Sequence, residues 1–93
     1  MTMDGHAQRN ALTAAEQAIR ALSGADPAKA RANAAKAAEL DQVGVFAALP
    51  DAVGRAADDL ETSGTVGEAA WRAVEDAVGP GPLMFLVEEV RRG

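Results

Sequence analysis

The chain has no cysteine, no tyrosine, one histidine, one tryptophan and two phenylalanines among its 93 residues. Without cysteine, neither a disulfide framework nor a thiolate zinc site can form, and the absence suits a reducing cytosol. A single histidine denies a helical bundle the Glu-x-x-His pairs of a di-metal centre. Long apolar runs are also missing. Nothing approaches the roughly 18–20 residues of a bilayer-spanning helix, so no membrane partner is expected. The opening Met1-Thr2-Met3-Asp4-Gly5-His6 carries no basic stretch leading into an apolar run, so no secretory leader is expected either. Basic residues are in deficit, 9 Lys and Arg against 14 Asp and Glu, for a net charge of -5. Nucleic-acid binders collect positive charge to displace counterions from phosphates. The opposite balance here argues against a nucleic-acid partner, and the reading is a cytoplasmic protein.

Hydrophobic residues nonetheless make up 48% of the chain, too many for a disordered segment. Alanine dominates them. It has the best helix propensity and buries little area. The composition predicts one all-α domain over residues 1–93, a small antiparallel bundle of four to five helices with a thin core. Residues 1–5 are expected to fray.

Position by position, Ala11, Leu12, Ala15, Ile19 and Leu22 recur at three- and four-residue spacing and predict a helix over 4–22. Ser23-Gly24 stops it, with glycine available for a left-handed cap. Asp26-Pro27 opens a second helix, with Asp as N-cap and Pro in the first turn, running to Leu40. In the third region, 42–62, Val43, Phe46, Leu49, Val53, Ala56, Ala57 and Leu60 form an apolar stripe. Pro50 predicts either a kink or a short turn ending near Ala48 with the main helix beginning at Pro50. Ser63-Gly64 ends that helix. Thr62 or Thr65 is the expected cap of a fourth helix reaching Val78. Gly79-Pro80-Gly81-Pro82 is the strongest breaker in the chain, a rigid turn. Leu83 to Arg92 reads as a short terminal helix.

The segment from Gly24 to Asp41 resembles the second helix of a tetratricopeptide repeat. Ala30 and Ala37 stand at the small positions seven apart, Ala34 lies between them, and Ala38-Glu39-Leu40-Asp41 matches the close of the motif. In the first helix Ala18 suits the signature, whereas its large aromatic and leucine positions are absent, and Gln42 stands where the family usually has proline. A fainter second unit is carried by Pro50, Val53-Gly54, Ala57, Ala69, Ala73 and Ala77. The resemblance implies a protein-binding pair of helical hairpins. It transfers no binding residue, because the matching positions are structural, and a stack of such repeats normally needs three or more.

Candidate chemistry is sparse. His6 is near the chain start and reads as an ordinary exposed residue. Ser23 and Ser63 lie beside glycines at helix ends, where serine caps and turns; with no histidine base placed beside them they are not nucleophiles. Asp58-Asp59 with Glu61, and Glu75-Asp76, read as solvated helix faces, since adjacent residues on a helix do not face one another. Glu88 and Glu89 are expected to pair with Arg91 and Arg92 along their own helix. No catalytic, cofactor-binding or metal-ligating residue is assigned.

In a chain so poor in aromatics, the large side chains carry much of the burial energy. Phe46, Trp71, Leu83, Met84, Phe85 and Leu86 are the candidate interface residues. They read either as a core where the last helices meet or as an exposed hot spot. The expected function is a non-enzymatic protein–protein interaction module or accessory subunit, with another protein or a second copy of itself as partner. Its rival is a small-molecule-binding or enzymatic bundle with a pocket near Trp71, Arg72 and Phe85. A helix-turn-helix regulator is disfavoured by the acidic balance.

Overall fold

In the computed structural model Pro27, Leu49-Pro50, Gly64, Gly67, Gly79 and Pro82 mark helix boundaries. The structure describes residues 5–79 and 81–92. They form α1 (Gly5–Ser23), α2 (Pro27–Leu40), α3 (Leu49–Ser63), α4 (Glu68–Val78) and α5 (Pro82–Arg92), and no strand occurs among them. Gly5 opens α1; the rest of the expected frayed start, and Pro80 of the expected rigid turn, lie outside the described residues.

The first turn departs from expectation in detail. The left-handed residue after α1 is Ala25, at φ 57, and not Gly24. Its amide donates to the Leu22 carbonyl at 3.2 Å, and the Asp26 amide donates to the Ala21 carbonyl at 2.9 Å. These two bonds close the helix in the manner of a Schellman motif, which usually has glycine at the left-handed position. Asp26 then caps α2 as expected, accepting from the Lys29 amide at 3.1 Å. Pro50 sits in the first turn of α3, so the turn-then-helix alternative holds and α3 has no internal proline. Gly64 ends α3 at φ 83 and donates to the Leu60 carbonyl at 3.0 Å.

The cap of α4 is a correction. Neither Thr62 nor Thr65 caps it; the N-cap residue is Gly67, with no side-chain cap of its own. Thr62 instead donates back to the Asp58 carbonyl at 2.9 Å. The carboxylate of Asp59 on α3 accepts from the Gly67 amide at 2.8 Å. An acid thus stands at the positive end of the α4 dipole.

Packing follows from side-chain size. α1 and α2 form an antiparallel hairpin, its open end tied by Gln8 donating to Asp41 at 3.0 Å. Ala11, Ala14, Ala15, Ala18 and Ala21 of α1 and Ala30, Ala34 and Ala37 of α2 are all buried in one core. Alanine lets helix axes approach to the short end of the usual range, about 8 Å. α3 packs on α2 and α1, α4 on α3, and α5 on α4 and back onto α1. In a stack of repeats each unit touches only its neighbours; here the last helix returns to the first. The molecule measures 46 × 23 × 18 Å. Ile19, Leu49, Val53, Val74 and Val87 are its largest fully buried side chains, and alanines fill much of the remaining space.

Candidate functional site

Chemistry has little to work with inside this bundle. No polar or charged side chain is buried among the described residues, and no group of three or more His, Asp or Glu side chains there could hold a metal ion. Among them, too, no helix is long and apolar enough to cross a membrane. His6 is exposed on α1.

The acidic clusters are not simply solvated faces. Arg31 of α2 reaches Asp58 and also grips Glu61 of α3 with bonds of 2.8 and 2.9 Å. The bond from Arg31 holds the Glu61 carboxyl below its ordinary range. Arg91 of α5 joins Glu68 and Glu75 of α4. The pairs expected along α5 itself are therefore replaced, for Arg91, by pairs between helices. A long arginine at the end of one antiparallel helix reaches the neighbouring helix as readily as its own. These carboxylates fasten elements together and do not converge on a cavity.

Exposed apolar side chains tell more. The described residues expose four large ones: Phe85 at 73%, Val43 at 70%, Val45 at 53% and Leu12 at 40%. They fall at two places.

The first is a groove between α1 and α5. An eleven-residue helix turned about 100° per residue cannot bury five consecutive apolar residues against one side. α5 buries Leu83, Leu86 and Val87, half-buries Met84, and turns Phe85 outward. From α1 come Leu12, Glu16 and Arg20, spaced four apart along one face. With Leu83, Phe85, Leu86 and Glu89 they line an open groove of about 310 Å³. Arg20 is already engaged by Glu16 at 3.2 Å. The volume is at the low end for a small-molecule cleft, roughly 300 Å³ upward, and the groove is open, which suits a flat or convex protein surface better.

The second place is the loop joining α2 to α3. Asp41 organises it. Its Oδ1 accepts from the Val43 and Gly44 amides at 3.1 and 3.0 Å and from Gln8; its Oδ2 accepts from the Phe46 amide at 2.7 Å. Gln8 also accepts from the Gln42 amide at 2.8 Å. Burial pushes the Asp41 carboxyl up, but the bonds from Phe46, Gln8 and Val43 outweigh it and hold the group below its ordinary range. Phe46 is thereby pinned into the core while Val43 and Val45 stay outside.

The six candidate interface residues are divided by the fold. Phe46, Trp71, Leu83 and Leu86 are core residues, Met84 is intermediate, and Phe85 alone is strongly exposed. Trp71 does not line the groove that Phe85 lines, so the two do not share that site, and Arg72 is exposed. Two apolar-stripe assignments need correction: Leu12 sits on the shoulder of the buried α1 face, and Val43 belongs to the loop. Sequence reasoning missed Leu12 as a surface residue. The signal was its own four-residue spacing to Glu16 and Arg20, which sets it on a polar row of α1.

No protein-family model, curated protein or solved structure matches the chain.

Proposed function

We propose that this chain is a non-enzymatic, cytoplasmic protein–protein interaction module or accessory subunit, docking a partner on the α1–α5 groove with Phe85 as its anchor. The observation that carries the reading is the exposure of Phe85, 73% in a bundle whose other two aromatics are buried. A phenylalanine held in water by a rigid helix loses about 2 kcal/mol of available burial. A partner that covers it regains that amount, more than tenfold in affinity. Leu12 beside it, and the floor of Leu83 and Leu86, give the anchor a rim and a seat, the arrangement of an interface centre. The tetratricopeptide likeness is kept as a proposal for the α1–α2 hairpin alone.

Phe85→Ser tests this directly. Its side chain supports little of the core, so the melting temperature is expected to stay within a few degrees of the parent. Partner capture, or self-association followed by gel filtration with light scattering, is expected to fall at least tenfold. A parent chain that stays monomeric at high concentration and captures nothing, or a variant that binds as well as the parent, removes the reading.

A further inference from the structure

We infer that the occupant of the α1–α5 groove is an amphipathic helix carrying a lysine or arginine beside its apolar face; the inference rests on the docking role just proposed for that groove. The argument is the charge left over at its rim. Of the three ionised groups that line it, Glu16 and Arg20 satisfy one another. Glu89 has no ion-pair partner among the described residues. Arg92, one turn further along α5, is exposed and leaves Glu89 unpaired. The groove therefore offers an apolar floor with a single uncompensated carboxylate at its edge, on a chain of net charge -5.

A second copy docked groove to groove fits this edge poorly. Its groove would bring another Glu89, and its only groove-lining cation, Arg20, is already held by Glu16. An incoming helix with a basic residue a turn from its apolar anchors supplies the missing charge without breaking that pair. Size agrees. α5 has 11 residues, about 16 Å at 1.5 Å per residue, so a partner helix of about three turns lies along it with leucines at i, i+3 and i+4 over Phe85 and Leu12.

Two fluorescein-labelled 16-residue helical peptides test this, titrated with the full chain and followed by anisotropy. They share one leucine stripe and carry either lysine or glutamate beside it. The lysine peptide is expected to bind more tightly, and Phe85→Ser to weaken it at least tenfold. Glu89→Lys is expected to weaken the lysine peptide about threefold to fivefold, as for a rim ion pair, and to improve the glutamate peptide. Raising salt to about 0.5 M should erase the Glu89 effect and leave the Phe85 effect. Equal binding of both peptides with only Phe85 mattering overturns the charge assignment and leaves the docking groove standing. A dimer that Phe85→Ser dissolves, with no peptide bound, puts a second copy in the groove and overturns it too. Lysine-peptide binding indifferent to Phe85→Ser, or no binding with a strict monomer, overturns both the inference and the groove.

Discussion

Ala25 holds a backbone conformation that suits glycine better. At φ 57 an L-residue sets its Cβ against the backbone, at a cost of about 1 kcal/mol, and glycine does not. The Ala21 and Leu22 carbonyls need that conformation because their acceptors are filled by amides 25 and 26. Ala25→Gly is expected to stabilise the chain by about 0.5 kcal/mol, since glycine's larger unfolded-state entropy returns part of the gain. Urea denaturation measures it, and a loss of stability would show that Ala25 bears no such strain. Phe85 is another residue whose environment opposes its type, the most exposed of the large apolar side chains among the described residues. Leu86 next to it is buried, so adjacent positions on α5 divide structure from recognition.

Among the elements, the α1–α2 hairpin depends on what its side chains omit. Ala30, Ala34 and Ala37 are fully buried on a helix whose most extensive packing is with α1, and closeness of the two backbones substitutes for large side chains. Ala34→Leu is expected to destabilise by about 1–3 kcal/mol through overpacking, although leucine favours helix almost as well as alanine. The same substitution at exposed Ala35 should cost little. Thermal denaturation of the two variants checks the contrast, and equal effects would mean that α1 and α2 are not in close contact at Ala34. The Arg91 and Arg31 pairs add register between neighbours; those to Asp58, Glu61 and Glu68 are exposed and contribute little energy individually, while Arg91–Glu75 is half-buried.

At the scale of the whole molecule, two carboxylates tie separate parts of the bundle and lie below their ordinary ranges, Asp41 at the α2–α3 loop and Glu61 against Arg31. A group whose pKa is depressed by folding stabilises the native state above its unfolded value, about 4, and loses that contribution as pH falls through the folded value. The melting temperature is therefore expected to be flat from pH 7 to about pH 5 and to fall below pH 4. Asp41→Asn should melt lower than the parent at pH 7, with the gap narrowing by pH 3. A gap that stays constant with pH would mean that the charge on Asp41 does not hold the loop.

The amino-acid sequence by itself determined the helices: alanine's propensity, Asp26-Pro27 at one start, Pro50 at another, and Ser63-Gly64 and Gly79 at the ends act within a few residues and depend on no distant contact. It also determined the absences, since a chain without cysteine and with one histidine cannot assemble a thiolate or multi-histidine site in any fold. Only the tertiary structure decided which apolar residues are covered. Leu12, Val43 and Phe85 read like their buried neighbours because hydrophobicity is a property of the residue, whereas burial depends on which helix arrives opposite. The partners of Arg31, Asp59 and Arg91 were hidden for the same reason. They lie on other helices or, for Asp59, at the cap of one, 27, 8 and 16 residues away at the nearest, and a spacing along the chain does not encode a distance across a bundle.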